Sequence, residues 1–310
     1  MTIRKQHMQT SILNIFKGPT LSSTLRGVGQ IAFQYNLWSG VLFSFAIAIT
    51  SPNALLYTLV GSLTGYLAGA VFKAPTSALH GGLYGYNGAL VGLATGMFFQ
   101  PSVVALLLVM VASFATSVFM KLWAHNFPSN LLPPFTLPFL STFWLISGTG
   151  LLEPVSFATL LHGELNQWLQ TGLATLHGVG QVFFIGSTLA AVIIVAGFIV
   201  NSMSGAAWAI GASLIGYWSG QLLGADDPSL HVGLFGFNAT LTAIALNIRY
   251  ANHIVVLGSG VVLATLLTWL AGSLSLTVLT LPFIVATWAT ILIADRTYWR
   301  KRNEQPKKST

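Results

Sequence analysis

Apolar residues run through this chain in long blocks that leave no polar face. Residues 103–119 and 188–200, for instance, contain no Asp, Glu, Lys or Arg. A helix lying on a water-soluble core would show polar residues every three to four positions, and a strand of a membrane barrel would alternate apolar and polar over about ten residues. Neither rhythm is present, so the pattern predicts helices surrounded by apolar material. Five segments can be drawn in each half, at 27–50, 53–73, 83–99, 102–123 and 135–151 and then at 178–200, 202–223, 233–248, 254–274 and 279–294. Most approach the roughly 20 residues that cross a bilayer. The segment containing Tyr86 and the one after Pro134 are shorter, which makes either a candidate for a re-entrant or broken span. The expected fold class is an all-α polytopic membrane protein.

The second half repeats the first. Gly27-Val28-Gly29-Gln30 returns as Gly178-Val179-Gly180-Gln181, 151 positions on. At the same spacing, the stretch from His80 to Asn87 matches that from His231 to Asn238, and Leu90 matches Leu241. Thr136-Leu137-Pro138-Phe139 and Trp144 match Thr280-Leu281-Pro282-Phe283 and Trp288 at a spacing of 144, after a small deletion. Three ordered matches divide the chain into a lead-in (1–25), a first membrane repeat (26–151), a connection (152–176), a second repeat (177–295) and a basic tail (296–310).

Composition agrees with the pattern: 54% of the 310 residues are hydrophobic and 6% charged, with a mean hydropathy of +0.75. A net charge of +7 could suggest nucleic acid, but the basic residues cluster at the ends of the chain. Arg4, Lys5 and Lys17 precede the first segment, and Arg296, Arg300, Lys301, Arg302, Lys307 and Lys308 follow the last. Basic residues flanking spans mark the cytoplasmic side, so both termini are expected inside a cytoplasmic (inner) membrane, with no nucleic-acid partner. Five crossings then put 152–176 outside, with Glu153 and Glu164 and no Lys or Arg. Lys73, Lys121 and Arg249 fall inside, Asp226 and Asp227 outside. An odd number of crossings per half inverts the second repeat relative to the first. Inverted repeats are a transporter architecture, with a central pore between them and the solute site near the midplane.

Enzyme chemistry finds no footing. All six acids (Glu153, Glu164, Asp226, Asp227, Asp295 and Glu304) fall in loops, segment ends or termini. The absence of cysteine excludes thiolate metal sites, and the glycines around Gly29 follow neither phosphate-loop pattern, so no cofactor or metal is expected. Ion-coupled transporters and proton pumps carry ionisable groups inside the membrane, where only histidines could qualify here. An uncharged solute moving down its gradient fits best.

The repeated motifs resemble the urea transporter family of bacteria and animals. The resemblance rests on Arg26-Gly27-Val28-Gly29-Gln30-Ile31-Ala32-Phe33, on 82–92, and on Phe135-Thr136-Leu137-Pro138-Phe139, each with its second-half partner, and covers roughly 26–295. It implies a passive channel for urea, assembled as a homotrimer with one pore per subunit. It further implies that Gln30 and Gln181 stand at the ends of two oxygen ladders. Phe33, Tyr86 and Leu90 would form one slot and Phe184, Phe237 and Leu241 the other, with Thr136 and Thr280 at the midpoint. Tyr86 departs from the more usual Phe.

Plainer readings stand beside these. A Gln in a membrane helix can be interhelical glue, an aromatic and an aliphatic residue four apart can be ordinary packing, and the threonines can serve backbone groups freed by Pro138 and Pro282. His80 and His231 suit helix ends, or the twin histidines of an ammonium channel as the alternative function. His125, His162, His177 and His253 give no signal. A non-transporting membrane scaffold is favoured only by general hydrophobicity.

Overall fold

The computed structural model describes residues 20–127, 132–155, 166–251, 253–274 and 279–304. The lead-in up to residue 19, His162 and Glu164 of the connection, and the tail from 305 lie outside the described residues. Among the described residues the regular elements are helices. A first series comprises α1 (Thr20–Gln30), α2 (Leu37–Thr50), α3 (Pro52–Val71), α4 (Thr76–His80), α5 (Tyr86–Phe98), α6 (Val103–Asn126) and α7 (Leu137–Ser147). A second comprises α8 (Gln167–Gly180), α9 (Thr188–Asn201), α10 (Met203–Leu222), α11 (Asp227–His231), α12 (Gly236–Tyr250), α13 (Ile254–Ser273) and α14 (Leu281–Glu304).

The expected unbroken segments at 27–50 and 178–200 are each two helices. α1 ends at Gln30 because Phe33 takes a left-handed conformation (φ 60°). The Gln34 amide then bonds to the Gly29 carbonyl at 3.0 Å and the Phe33 amide to the Gln30 carbonyl at 3.1 Å. These two bonds satisfy carbonyls left open at the helix end, as in a Schellman motif. Phe184 (φ 56°) repeats the arrangement after a short 3-10 turn, Gln181–Phe183, with Ile185 bonding to Gly180. Both helices restart on a capping side chain, Asn36 for α2 and Ser187 for α9, and the axis turns by 73° between the second pair. The short segments flagged from sequence are single helices, α5 and α7, while the last segment extends well past 294 as part of α14.

Other left-handed residues also recur at the two sequence spacings: Gly82 with Gly233, Lys73 with Gly224, and Phe135 with Leu279. Close packing recurs too. The Ser62 hydroxyl donates to the Thr24 carbonyl at 2.8 Å, and Ser213 to Thr175 at 2.8 Å. A Cβ on Gly27 or on Gly178 would collide with those same hydroxyls, so glycine lets α1 approach α3 and lets α8 approach α10.

The two series meet where the restarted helices cross. α2 packs along α9, with the Ser39 hydroxyl donating to the Gly197 carbonyl at 2.7 Å. The Phe43 ring lies 4.6 Å from Phe183 and 5.5 Å from Phe198. Among the described residues, three helices, α3, α6 and α13, are by length and composition able to cross a membrane alone, α8 with α9 qualifies as a broken span, and α2 and α7 are shorter apolar helices. Large apolar side chains such as Val103, Val111, Leu145, Leu189 and Ile254 are exposed. Exposure of so many large apolar side chains calls for an apolar surrounding.

Candidate solute pathway

The centre of the molecule is built by two helix starts. Pro138 and Pro282 stand at the second position of α7 and α14, where the missing amide hydrogen is tolerated. Each start follows a left-handed residue, Phe135 (φ 47°) or Leu279 (φ 46°). Both turns are held by an asparagine from another helix. Asn87 Oδ1 accepts from the Phe139 amide at 3.2 Å while its Nδ2 donates to the Phe135 carbonyl at 3.3 Å. Asn238 repeats this on the Phe283 amide (3.3 Å) and the Leu279 carbonyl (3.2 Å). Orphan helix-end amides and a turned-out carbonyl are thereby paired by buried side chains.

Between the two starts, Thr136 Oγ1 and Thr280 Oγ1 lie 2.7 Å apart, both threonines almost wholly buried. The Thr136 hydroxyl does not cap its own helix, although threonine at that position often does. It bonds across to the other series instead.

Aromatic rings close around this contact. The Phe33 ring sits 6.0 Å from Phe135 and 5.9 Å from Phe283, and Phe135 lies 5.1 Å from Phe283. Phe184 sits 5.1 Å from Phe98 and 6.5 Å from Phe139. Each broken segment therefore delivers its left-handed phenylalanine to a ring cluster that includes the first phenylalanine after the opposite or neighbouring proline.

Two cavities adjoin the clusters and a third lies at the Leu279 turn. One of about 470 Å³ is lined by Gln30, Phe33, Leu83, Tyr86, Phe135 and Arg249, among others. A second, about 430 Å³, reaches Met97, Phe98, Phe184 and Gly186. A third, about 550 Å³, reaches Asp226, Leu234, Phe237, Asn238, Thr268 and Leu279. In the first, Gln30 Nε2 donates to the Gly81 carbonyl at 3.0 Å, so Oε1 is the atom of that amide able to meet a donor. Arg249 at its rim is ion-paired with Asp295 at 2.5 Å, and the Tyr250 hydroxyl donates to the same carboxylate at 2.8 Å.

Of the residues singled out from sequence, Gln30, Phe33 and Tyr86 share one cavity, and Thr136 and Thr280 touch. Phe184 and Phe237 line different cavities. Gln181 is half-buried and lines none of the three; Leu90 and Leu241 are packed in the core. His80 and His231 end the five-residue helices α4 and α11 and contribute backbone carbonyls: Arg26 donates to His80 at 3.2 Å, and His177 Nδ1 meets His231 at 2.9 Å. Neither histidine lines a cavity described here.

Sequence reasoning missed Asn87, Asn238 and His177. His177 is buried and also bonds Thr188 Oγ1 at 3.0 Å. Its signal was the spacing of 151, which pairs it with Arg26.

The urea transporter family model matches residues 21–295. The chain belongs to the urea transporter family. It is thus a multi-pass membrane protein of a family of transporters, not of enzymes. Among its curated relatives, urea transporter 1 of Ovis aries is 27% identical over 301 residues, covering 88% of this chain and 76% of the relative. That of Rattus norvegicus is 27% identical over 298 residues, covering 87% and 76%. That of Mus musculus is 28% identical over 243 residues, covering 72% and 61%. The matched stretch takes in nearly all of both helix series and every candidate residue named above.

Proposed function

We propose that this protein is a passive channel for urea, formed by two inverted repeats of about five membrane segments each and assembled as a homotrimer. Both termini face the cytoplasm and the protein resides in the cytoplasmic (inner) membrane. The observation that carries the reading is the Thr136–Thr280 hydroxyl pair held between two proline-broken helix starts and flanked by phenylalanine clusters.

Urea is flat, uncharged and strongly hydrated. Removing its water without replacement costs several kcal/mol per unsatisfied group. A conducting path must offer acceptors along the molecular edge and flat walls on its faces. Gln30 Oε1, Gln181 and the threonine hydroxyls supply acceptors; Phe33, Tyr86 and Leu90, with Phe184, Phe237 and Leu241, supply walls on either side. The recurrence of left-handed residues and of the Ser62 and Ser213 contacts at matched spacings supports two related units. The ammonium reading has no comparable support, because the His80 and His231 rings lie off the cavities.

The test is stopped-flow flux in proteoliposomes of the purified protein. We expect urea entry well above protein-free vesicles, unaffected by imposed pH or sodium gradients. Accumulation of urea against its gradient, or ammonia flux without urea flux, overturns the reading. Sidedness is read from a single cysteine at Asp227, an exposed position, which should be labelled only from outside.

A further inference from the structure

The two sides of the central contact differ at one atom. Phe135 and Leu279 are counterparts: each is left-handed, each precedes the threonine, and the carbonyl of each accepts from an asparagine instead of from the helix that follows. A carbonyl oxygen has two lone pairs. At Phe135 both are taken, by Asn87 Nδ2 and by the Tyr86 hydroxyl. At Leu279, among the described residues, only Asn238 Nδ2 is a partner, because the position corresponding to Tyr86 is Phe237, which has no hydroxyl. Tyr86 and Phe135 line the cavity that holds Gln30, while Phe237 and Leu279 line the cavity on the other side.

We propose that Tyr86 makes the path for urea asymmetric: its hydroxyl occupies the Phe135 carbonyl, so the first-series side offers an amide solute one strong acceptor fewer than the second-series side. The inference rests on the urea reading and specifies how that site grades its substrate. A phenolic oxygen left in place of the carbonyl is the weaker acceptor, because one of its lone pairs is delocalised into the ring. Tyr86 therefore acts as a determinant of solute affinity on one face, not as part of the scaffold alone: Phe135 keeps its bond to Asn87 when the hydroxyl is removed. On the topology proposed above, the weaker side faces the cytoplasm, where Arg249 lies.

The experiment measures the half-saturation concentration for urea from each face under zero-trans conditions, in right-side-out and inverted vesicles, for the wild type, Tyr86→Phe and Phe237→Tyr. The wild type should saturate at higher urea from the cytoplasmic face than from the outer face. Tyr86→Phe frees one neutral acceptor and should lower the cytoplasmic value by roughly 2- to 12-fold, leaving the outer value unchanged. Phe237→Tyr adds an oxygen, removes no contact, and should raise the outer value by a similar factor. That second variant carries the test if Tyr86→Phe assembles poorly. If the wild type passes urea and both variants saturate as it does from both faces, the asymmetry is wrong while the channel reading stands. If the wild type passes no urea, both fall together.

Discussion

Thr136 and Thr280, 144 residues apart in sequence, share a 2.7 Å hydrogen bond through their side-chain oxygens. Each would otherwise be a buried hydroxyl without a partner, which costs about 1 to 3 kcal/mol. Replacing one by valine keeps the volume but strands the other hydroxyl; replacing both strands neither.

Thr136→Val and Thr280→Val should each lower the melting temperature of the purified protein, and the double variant should recover part of the loss. The coupling is expected at about 0.5 to 3 kcal/mol in a double-mutant cycle. Additive losses would mean the two hydroxyls do not bond. Urea flux per assembled protein should fall in all three variants, since the acceptors at the midpoint are gone.

Gln30→Leu should reduce urea flux by about 5- to 150-fold, the equivalent of about 1 to 3 kcal/mol on the barrier. Gln181→Leu is expected to do the same if the second polar end works as the first. The measurement is flux normalised to correctly assembled protein. Unchanged normalised flux with reduced yield would assign these residues to packing alone.

Asn87→Ala and Asn238→Ala remove a helix-end acceptor and a carbonyl's donor together, at two buried positions. Each should destabilise the fold by about 2 kcal/mol or more, read as a lower melting temperature in detergent. Tolerance of alanine at either position would show that the proline-broken starts hold themselves.

Gly27→Ala and Gly178→Ala should impair assembly, because the added methyl meets the Ser62 or Ser213 hydroxyl. Gly211→Ala and Gly258→Ala, which sit within α10 and α13 with open space around them, should be neutral or raise stability by up to about 1 kcal/mol through helix propensity. Equal behaviour of the two pairs, read by size-exclusion yield, would remove the close-approach argument.

The duplicated motifs were legible because repetition marks positions that apolar composition alone cannot distinguish, but nothing in the sequence showed that the Thr136 and Thr280 hydroxyls bond each other. The breaks after Gln30 and Gln181 were not. Hydropathy averages over a window, and Phe33 and Phe184 are apolar residues in a conformation that usually announces itself through glycine. Asn87 and Asn238 lay inside the quoted motifs, but the amide and carbonyl they serve belong to α7 and α14, a relation set only by tertiary packing. The cluster of Phe33 with Phe135 and Phe283 is equally non-local. His177 was passed over because a single histidine at a segment end looks like any other until its counterpart Arg26 is seen making the same bond.

The bond at the centre also has a biosynthetic meaning. Its two oxygens come from opposite halves of the chain, and the phenylalanine cluster around Phe33 is completed only by Phe283. A nascent chain emerging from the ribosome through residue 270 thus possesses every helix of the first series yet lacks the second hydroxyl and the ring that closes the first cluster. On the proposed channel reading, the route for urea is complete only near the end of translation, after most of the protein is already in the membrane.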